Sequence, residues 1–322
     1  MTARQTTGFL ADPTGSRKAE REMNASHRSA ALAPADEAPA RAAESEGPLK
    51  APDGGSWTPD LALIRTRFLE LSRRRGLLVG MVAGNLGPTI VTIIVLIVRH
   101  GSHPWMDPTG TTWVAAAAET LWVTGTLTAV FLGAIAGSAD VTSRFFRALV
   151  TTGRSRLALY LARFPAGIAL IAAVIAPTFL LAAACSDLMA NPDKILDPRA
   201  PLHVVFALGG WLLLVIFVVF AITLGISTTI GSEAVTVLVT VGLLIGLAIL
   251  ATVLVTDPGW PSWLRFVDFE WIFKGMQPAI SLSRPASGIA YSMPVWQRAL
   301  ALAIWVAAPV TSGAYRAVHR DA

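Results

Sequence analysis

Six apolar runs of roughly twenty residues each occupy the last three-quarters of this 322-residue chain. A helix rises about 1.5 Å per residue, so about 20 apolar residues cross a hydrocarbon core. No water reaches that core, so each run must satisfy its own backbone N–H and C=O groups, and only a helix or a closed barrel does so. The runs are 77–98, 113–136, 164–185, 204–227, 234–255 and 299–317. Continuous apolar runs of this length predict helices, and the fold expected is an all-α integral membrane protein with six transmembrane helices. Pro88, Pro177 and Pro309 interrupt three of the runs, and the last run is the shortest.

Composition agrees. Only 15% of residues are charged, against about 25% in soluble domains, and the mean hydropathy is +0.57. The net charge of +5 and the isoelectric point near 9.9 do not point to nucleic acid. The arginines gather at the ends of the apolar runs, which is the pattern of the positive-inside rule. Arg65, Arg67, Arg73, Arg74 and Arg75 precede the first run. Arg144, Arg147, Arg154 and Arg156 lie between the second and third, with Arg163 just beyond, and Arg316 and Arg320 follow the sixth. The connections after the first and third runs carry fewer: Arg99, then Lys194 and Arg199. The bias places both termini in the cytosol, as an even number of spans requires.

Outside the runs the chain divides into further segments. Residues 1–55 are rich in Ala, Pro, Ser, Glu and Arg and poor in large aliphatics. Such a segment buries too little apolar surface to offset its ordering entropy, which predicts a disordered cytosolic tail. No apolar core of a leader lies in it, so the first run is expected to serve as its own insertion signal. Residues 56–76 read as a basic amphipathic elbow helix, with Leu61, Ile64, Phe68 and Leu71 at helical spacing among arginines. Residues 256–297 hold four tryptophans and three phenylalanines broken by prolines. Rings at that density favour the membrane interface, so short re-entrant or interfacial helices are expected in this outer loop, before the last span.

Enzyme signatures are missing. The chain has no phosphate-binding G-x-x-x-x-G-K-[ST] loop, no H-E-x-x-H and no G-x-S-x-G elbow. The runs contain neither histidine nor aspartate, which argues against intramembrane acid–base hydrolysis. His100 and His103 lack a third ligand, and Cys185 has no partner for an internal disulfide.

Two polar residues inside the runs are candidates for lining a path. A carboxylate in lipid is costly, so Glu119 faces protein or water, or snorkels to the outer interface six residues after Trp113. Asn85, beside Gly84, Gly87 and Pro88, marks a loosened or a closely packed stretch of the first span. Glu233 begins the fifth run, where the helix dipole favours an acid without any functional role.

The connection 137–156 reads GSADVTSRFFRALVTTGRSR, too short for a domain and too basic and aromatic for a turn. Val141, Phe145 and Leu149 recur every four residues, Arg144 and Arg147 flank them, and Ser138 or Asp140 is placed to cap a short helix that Gly153 would end. A helix of this kind lays its apolar face in a partner's groove, or lies in the interface with its rings in lipid.

The run GAIAGSADVTSRFFRALVTTGRSRLALYLARFPAG resembles the second span, coupling loop and third span of permease subunits of type-2 ABC exporters. In that family a small acidic position (here Asp140) precedes a short helix, and an arginine-bearing turn (here Thr152–Arg156) enters the next span. The layout from about Leu61 onward is also similar, whereas the polar tail has no counterpart. The resemblance implies a bacterial plasma-membrane permease that exports a cargo. Two copies, or one copy and a related chain, would pair in membrane lipid. Each would dock a cytosolic ABC ATPase that binds the ATP and magnesium, so that this chain holds no cofactor. It implies partner contacts from Asp140, Arg144, Phe145, Phe146, Arg147, Leu149, Arg154 and Arg156. Spans dominated by aliphatics suit a hydrophobic or amphipathic cargo. The alternative is a membrane scaffold, immunity or sensor protein whose loop grips another partner.

Overall fold

The computed structural model describes residues 61–102, 110–142, 155–190, 199–256, 268, 272–273, 276 and 294–319. The tail 1–55 and most of the aromatic loop 256–297 lie outside these residues. Every element among the described residues is a helix, and there is no strand. In chain order they are α1 (Leu61–Ser72), α2 (Arg75–Ser102), α3 (Thr111–Thr142), α4 (Arg156–Leu161), α5 (Arg163–Met189), α6 (Leu202–Ile230), α7 (Glu233–Thr256) and α8 (Val295–His319).

Five segments are long and apolar enough to cross a membrane: α2, α3 from Thr111 to Ser138, α4 with α5, α6, and α7 from Glu233 to Val253. They correspond to the first five apolar runs, and each helix extends several residues past its run. The sixth run also forms a helix, α8. Gln297, Arg298, Pro309 and Arg316 leave it apolar down one side only.

The helices share two ends. At one end, which we call the loop end, Ser227 near the close of α6 bonds the Ala134 carbonyl of α3 at 2.7 Å, and Arg156 at the start of α4 reaches the Val318 carbonyl of α8 at 3.4 Å. At the far end, Ser186 of α5 bonds the Gly110 carbonyl before α3 at 3.0 Å, and His100 of α2 meets Trp113 edge-on. Successive long helices therefore run up and down.

α6 stands at the centre, and it is packed closely on three sides by small residues. On α3, Gly125, Ala129, Gly133 and Gly137 recur every four residues, and the three glycines face α6. A Cβ at Gly133 would sit 2.8 Å from Thr223 Cβ, and one at Gly137 would collide with Ser227. On α5, Gly167 makes room for the Phe220 ring. On α8, Gly313 and the Pro309 carbonyl press against the backbone of Gly225. Lipid tails are as apolar as leucine, so close backbone approach through small residues is what drives helix association in a bilayer. By contrast α2 and α7 are mostly exposed. Their aliphatic faces, such as Val91, Ile94 and Val98 or Leu238, Ile245 and Ile249, suit lipid.

The amphipathic α1 packs against the start of α5. It buries Leu63, Arg67 and Leu71; of the expected stripe Leu71 is buried, Ile64 and Phe68 are half-buried, and Leu61 is 84% exposed. The difference arises because Leu63 and Ile64 fit against Leu159 and Ala162 at the α4–α5 junction, while Arg67 turns inward to Glu70 at 2.8 Å.

From the aromatic loop, Ile272 and Phe273 are fully buried, and the Phe273 carbonyl accepts from Trp211 Nε1 at 3.0 Å. Trp211 lies nine residues inside α6, about 13 Å below its far end at 1.5 Å per residue. The connection between α7 and α8 therefore dips into the bundle at this point. Trp211→Phe is expected to lower stability by about 1–2 kcal/mol, the usual result of leaving a buried carbonyl without its donor. Thermal unfolding of the detergent-solubilised protein measures it, and an unchanged midpoint would show that the contact contributes nothing.

Candidate functional site

The connection between α3 and α4 is the segment that the sequence singles out, and the structure describes both of its ends. α3 continues to Thr142, so Ser138 and Asp140 lie within that helix and cap no new one. The single Ser138 hydroxyl proton is shared between the Ala134 carbonyl at 2.8 Å and Glu233 Oε1 of α7 at 3.0 Å. Arg144, Phe145, Phe146, Arg147, Leu149 and Arg154 lie outside the described residues. At the exit, Ser155 takes an extended conformation and its Oγ accepts the Ala158 N–H at 3.2 Å, which starts α4. A serine at this position satisfies one of the donors that a helix start leaves free. Arg156 follows, its guanidinium against the last turn of α8, where the helix dipole favours a cation.

Beneath the loop its two ends are tied together. Arg163, the first residue of α5, is only 3% exposed, and its Nη1 donates to the Gly137 carbonyl at 3.4 Å. Arg67 and Glu70 of α1 lie close enough to act on its charge. Ser138 Oγ reaches Glu233 Oε1 of α7 at 3.0 Å, and Ser227 of α6 bonds the neighbouring turn of α3. Glu233, favourable at a helix N-terminus on its own account, thus also links two helices. Tyr160 of α4, almost wholly buried, donates to the Val310 carbonyl of α8 at 3.2 Å. The entrance and exit of the loop are therefore held by one bonded collar that reaches α6, α7 and α8. Charge-assisted bonds in a low dielectric are stiffer than the same bonds in water.

The two path candidates do not come together. Asn85 is fully buried between α2 and α3. Its Nδ2 donates to the Met81 carbonyl at 2.7 Å and to Thr128 Oγ1 at 2.8 Å, and its Oδ1 accepts from Thr124 at 3.0 Å. One helical turn or two farther along, Thr92 meets Thr120 at 3.0 Å. These pairs form a polar seam, and polar bonds of this kind hold helices together in lipid. Gly84 and Gly87 take no part, since a Cβ at either would meet nothing within 4 Å. Glu119 is exposed on the outside of α3, in line with the outward-facing Val123, Leu127 and Phe131. It makes no hydrogen bond or ion pair among the described residues.

Among the described residues no group of three or more His, Cys, Asp or Glu side chains could hold a metal ion. The residues that sequence reasoning missed are Arg163, counted there as a loop cation, the bridging pair Ser138 and Glu233, and Tyr160. For Arg163 a signal existed: an arginine followed directly by Phe164-Pro165 and the apolar run sits too far inside to be solvated.

The class of protein that these elements define is a multi-pass helical membrane protein. No protein-family model matches the chain, and no curated protein does.

Proposed function

We propose that the chain is the permease subunit of an ATP-driven exporter of the type-2 ABC kind, with α8 as the sixth span and α1 as an elbow helix lying at the cytosolic surface. On this reading both termini and the loop end face the cytosol of a bacterial plasma membrane. The observation that carries it is the bonded collar. A loop that receives force from a cytosolic ATPase must hand it to several spans together, and the bonds of Arg163, Ser138, Ser227 and Tyr160 tie the loop's ends to each other and to α6, α7 and α8. The resemblance of the 137–156 segment to a coupling loop supports the same reading.

A second copy or a related chain completes the path. The exposed Glu119 favours this, because a carboxylate on an otherwise aliphatic stripe is costly against lipid, by about 2.5–3.5 kcal/mol at mid-bilayer on insertion scales. The cargo is a hydrophobic or amphipathic small molecule such as a drug, an antibiotic or a lipid, as the aliphatic character of the spans favours.

The test is co-purification from native membranes. A near-stoichiometric soluble partner carrying a phosphate-binding loop is expected. A monodisperse protein without an ATPase would move the reading to a scaffold, immunity or sensor protein. Within the complex, Phe145→Ala with Phe146→Ala is expected to abolish coupled transport while leaving membrane insertion intact. Normal transport by that double variant would remove the loop from the mechanism.

A further inference from the structure

Between the loop-end turns of α6 and α8 lies a cleft of about 820 Å³, lined by Thr229, Thr311, Ser312, Tyr315, Arg316 and His319. None of these described lining residues is acidic. Arg316 makes no bond or ion pair among the described residues, so its fork of donors remains available to a ligand. The Tyr315 ring stacks on His319 at 4.1 Å between centroids, and His319 Nδ1 lies 2.9 Å from the Tyr315 carbonyl. A carbonyl only accepts, so Nδ1 carries the proton and Nε2 is turned outward. Thr229, Thr311 and Ser312 donate their protons to carbonyls of their own helices at 2.6–2.8 Å. Their oxygens are therefore left as acceptors.

The cleft thus combines a cation that matches a phosphate with hydroxyl oxygens that match a hydroxyl or ammonium donor. Arginine binds phosphate oxygens in bidentate fashion. The outward face of α8 changes character along its length. Leu300 and Ile304 are aliphatic and exposed, and Thr311, Tyr315 and His319 continue the same helical face as a polar surface. That order matches a lipid, with acyl chains below and a headgroup above.

We propose that this cleft seats the phosphodiester headgroup of an anionic glycerophospholipid bearing a hydroxyl, with its acyl chains along Leu300 and Ile304. Arg316 takes the phosphate, the Tyr315 hydroxyl and, in its imidazolium form, His319 Nε2–H donate to it, and the threonine and serine oxygens accept from the headgroup alcohol. The site does not depend on what the bundle transports or on whether an ATPase binds.

Native mass spectrometry of the full-length chain tests it, with phosphatidylglycerol and phosphatidylcholine added in parallel to delipidated protein. Phosphatidylglycerol is expected to remain bound at concentrations where phosphatidylcholine does not. The Arg316→Gln, His319→Gln variant is expected to weaken phosphatidylglycerol binding about tenfold, equivalent to about 1.4 kcal/mol. Both side chains are exposed, and an unchanged size-exclusion profile verifies that this variant folds. Arg316→Lys keeps a point charge without the fork and is expected to fall between the two. Equal retention of the two lipids, or undiminished binding by the double variant, would overturn the proposal. Displacement of the lipid by equimolar glycerol 3-phosphate would also overturn it, by assigning the cleft to a soluble phosphoester.

Discussion

Gly225→Ala is expected to destabilise the bundle by about 3 kcal/mol, at the upper end of the range for overpacking a close-packed core. The new Cβ would run into the Pro309 carbonyl of α8, and backbone cannot swing away as a side-chain tip can. α6 and α8 would have to separate, opening the contacts around Gly313 and Tyr160 as well. The same substitution at Gly84 provides the contrast. There the Cβ meets nothing within 4 Å, and alanine is the better helix former by about 0.5–1 kcal/mol. The two alanine variants should therefore shift the unfolding midpoint in opposite directions, measured by heating in detergent and counting the protein left monodisperse. A neutral Gly225→Ala would mean that α6 and α8 do not approach as described.

Asn85→Asp should have the other large effect, and should cost more than Asn85→Ala. The alanine variant loses two interhelical bonds, each averaging about 0.6 kcal/mol in a membrane protein. Thr124 and Thr128 would keep their own helical carbonyls as acceptors. The aspartate still accepts from Thr124, yet it places carboxylate oxygen against the Met81 carbonyl and the Thr128 hydroxyl oxygen, to both of which the amide had donated. A buried carboxylate in a lipid-embedded seam adds about 2–3 kcal/mol to the penalty, unless it takes up a proton. Stability of the aspartate variant should then improve as pH is lowered, because protonation removes the buried charge and restores a donor. If Asn85→Asp were as stable as Asn85→Ala at neutral pH, the seam would have to be wet, and Asn85 would return as a path-lining residue.

The spans were legible because a long apolar run in a bilayer leaves the backbone few alternatives, and the run 164–185 lies wholly within α5, Arg163–Met189. Side-chain direction was less legible. Arg163 and Arg67 were read as solvated cations, since charge counting treats every arginine at a run's end alike. Arg163 finds its partner in the Gly137 carbonyl of another helix, and Arg67 in Glu70 one turn along its own. The glycine pattern was ambiguous for a similar reason. Gly133 and Gly137 on α3, and Gly80 and Gly84 on α2, share the same spacing, yet only the first pair faces a neighbour. Spacing describes a surface and cannot say what lies opposite. For Glu119 the sequence left two placements open, protein or water on one hand and the outer interface on the other, and in the single chain its side chain is exposed on the outward side of α3. The chain from Ser138 to Thr142 was assigned to a new helix on capping chemistry. It continues α3 instead, because serine satisfies itself equally well by bonding back one turn.

The central position of α6 also bears on how such a chain can diverge. A helix whose neighbours press on its backbone from three sides has almost no position at which side-chain volume is free. α2 and α7, facing outward along most of their length, need only remain oily. Substitutions should therefore accumulate freely on those two helices, provided they stay apolar, while α6 drifts slowly. Descendants of a common ancestor would retain the volume profile of α6 long after residue identity elsewhere had been lost.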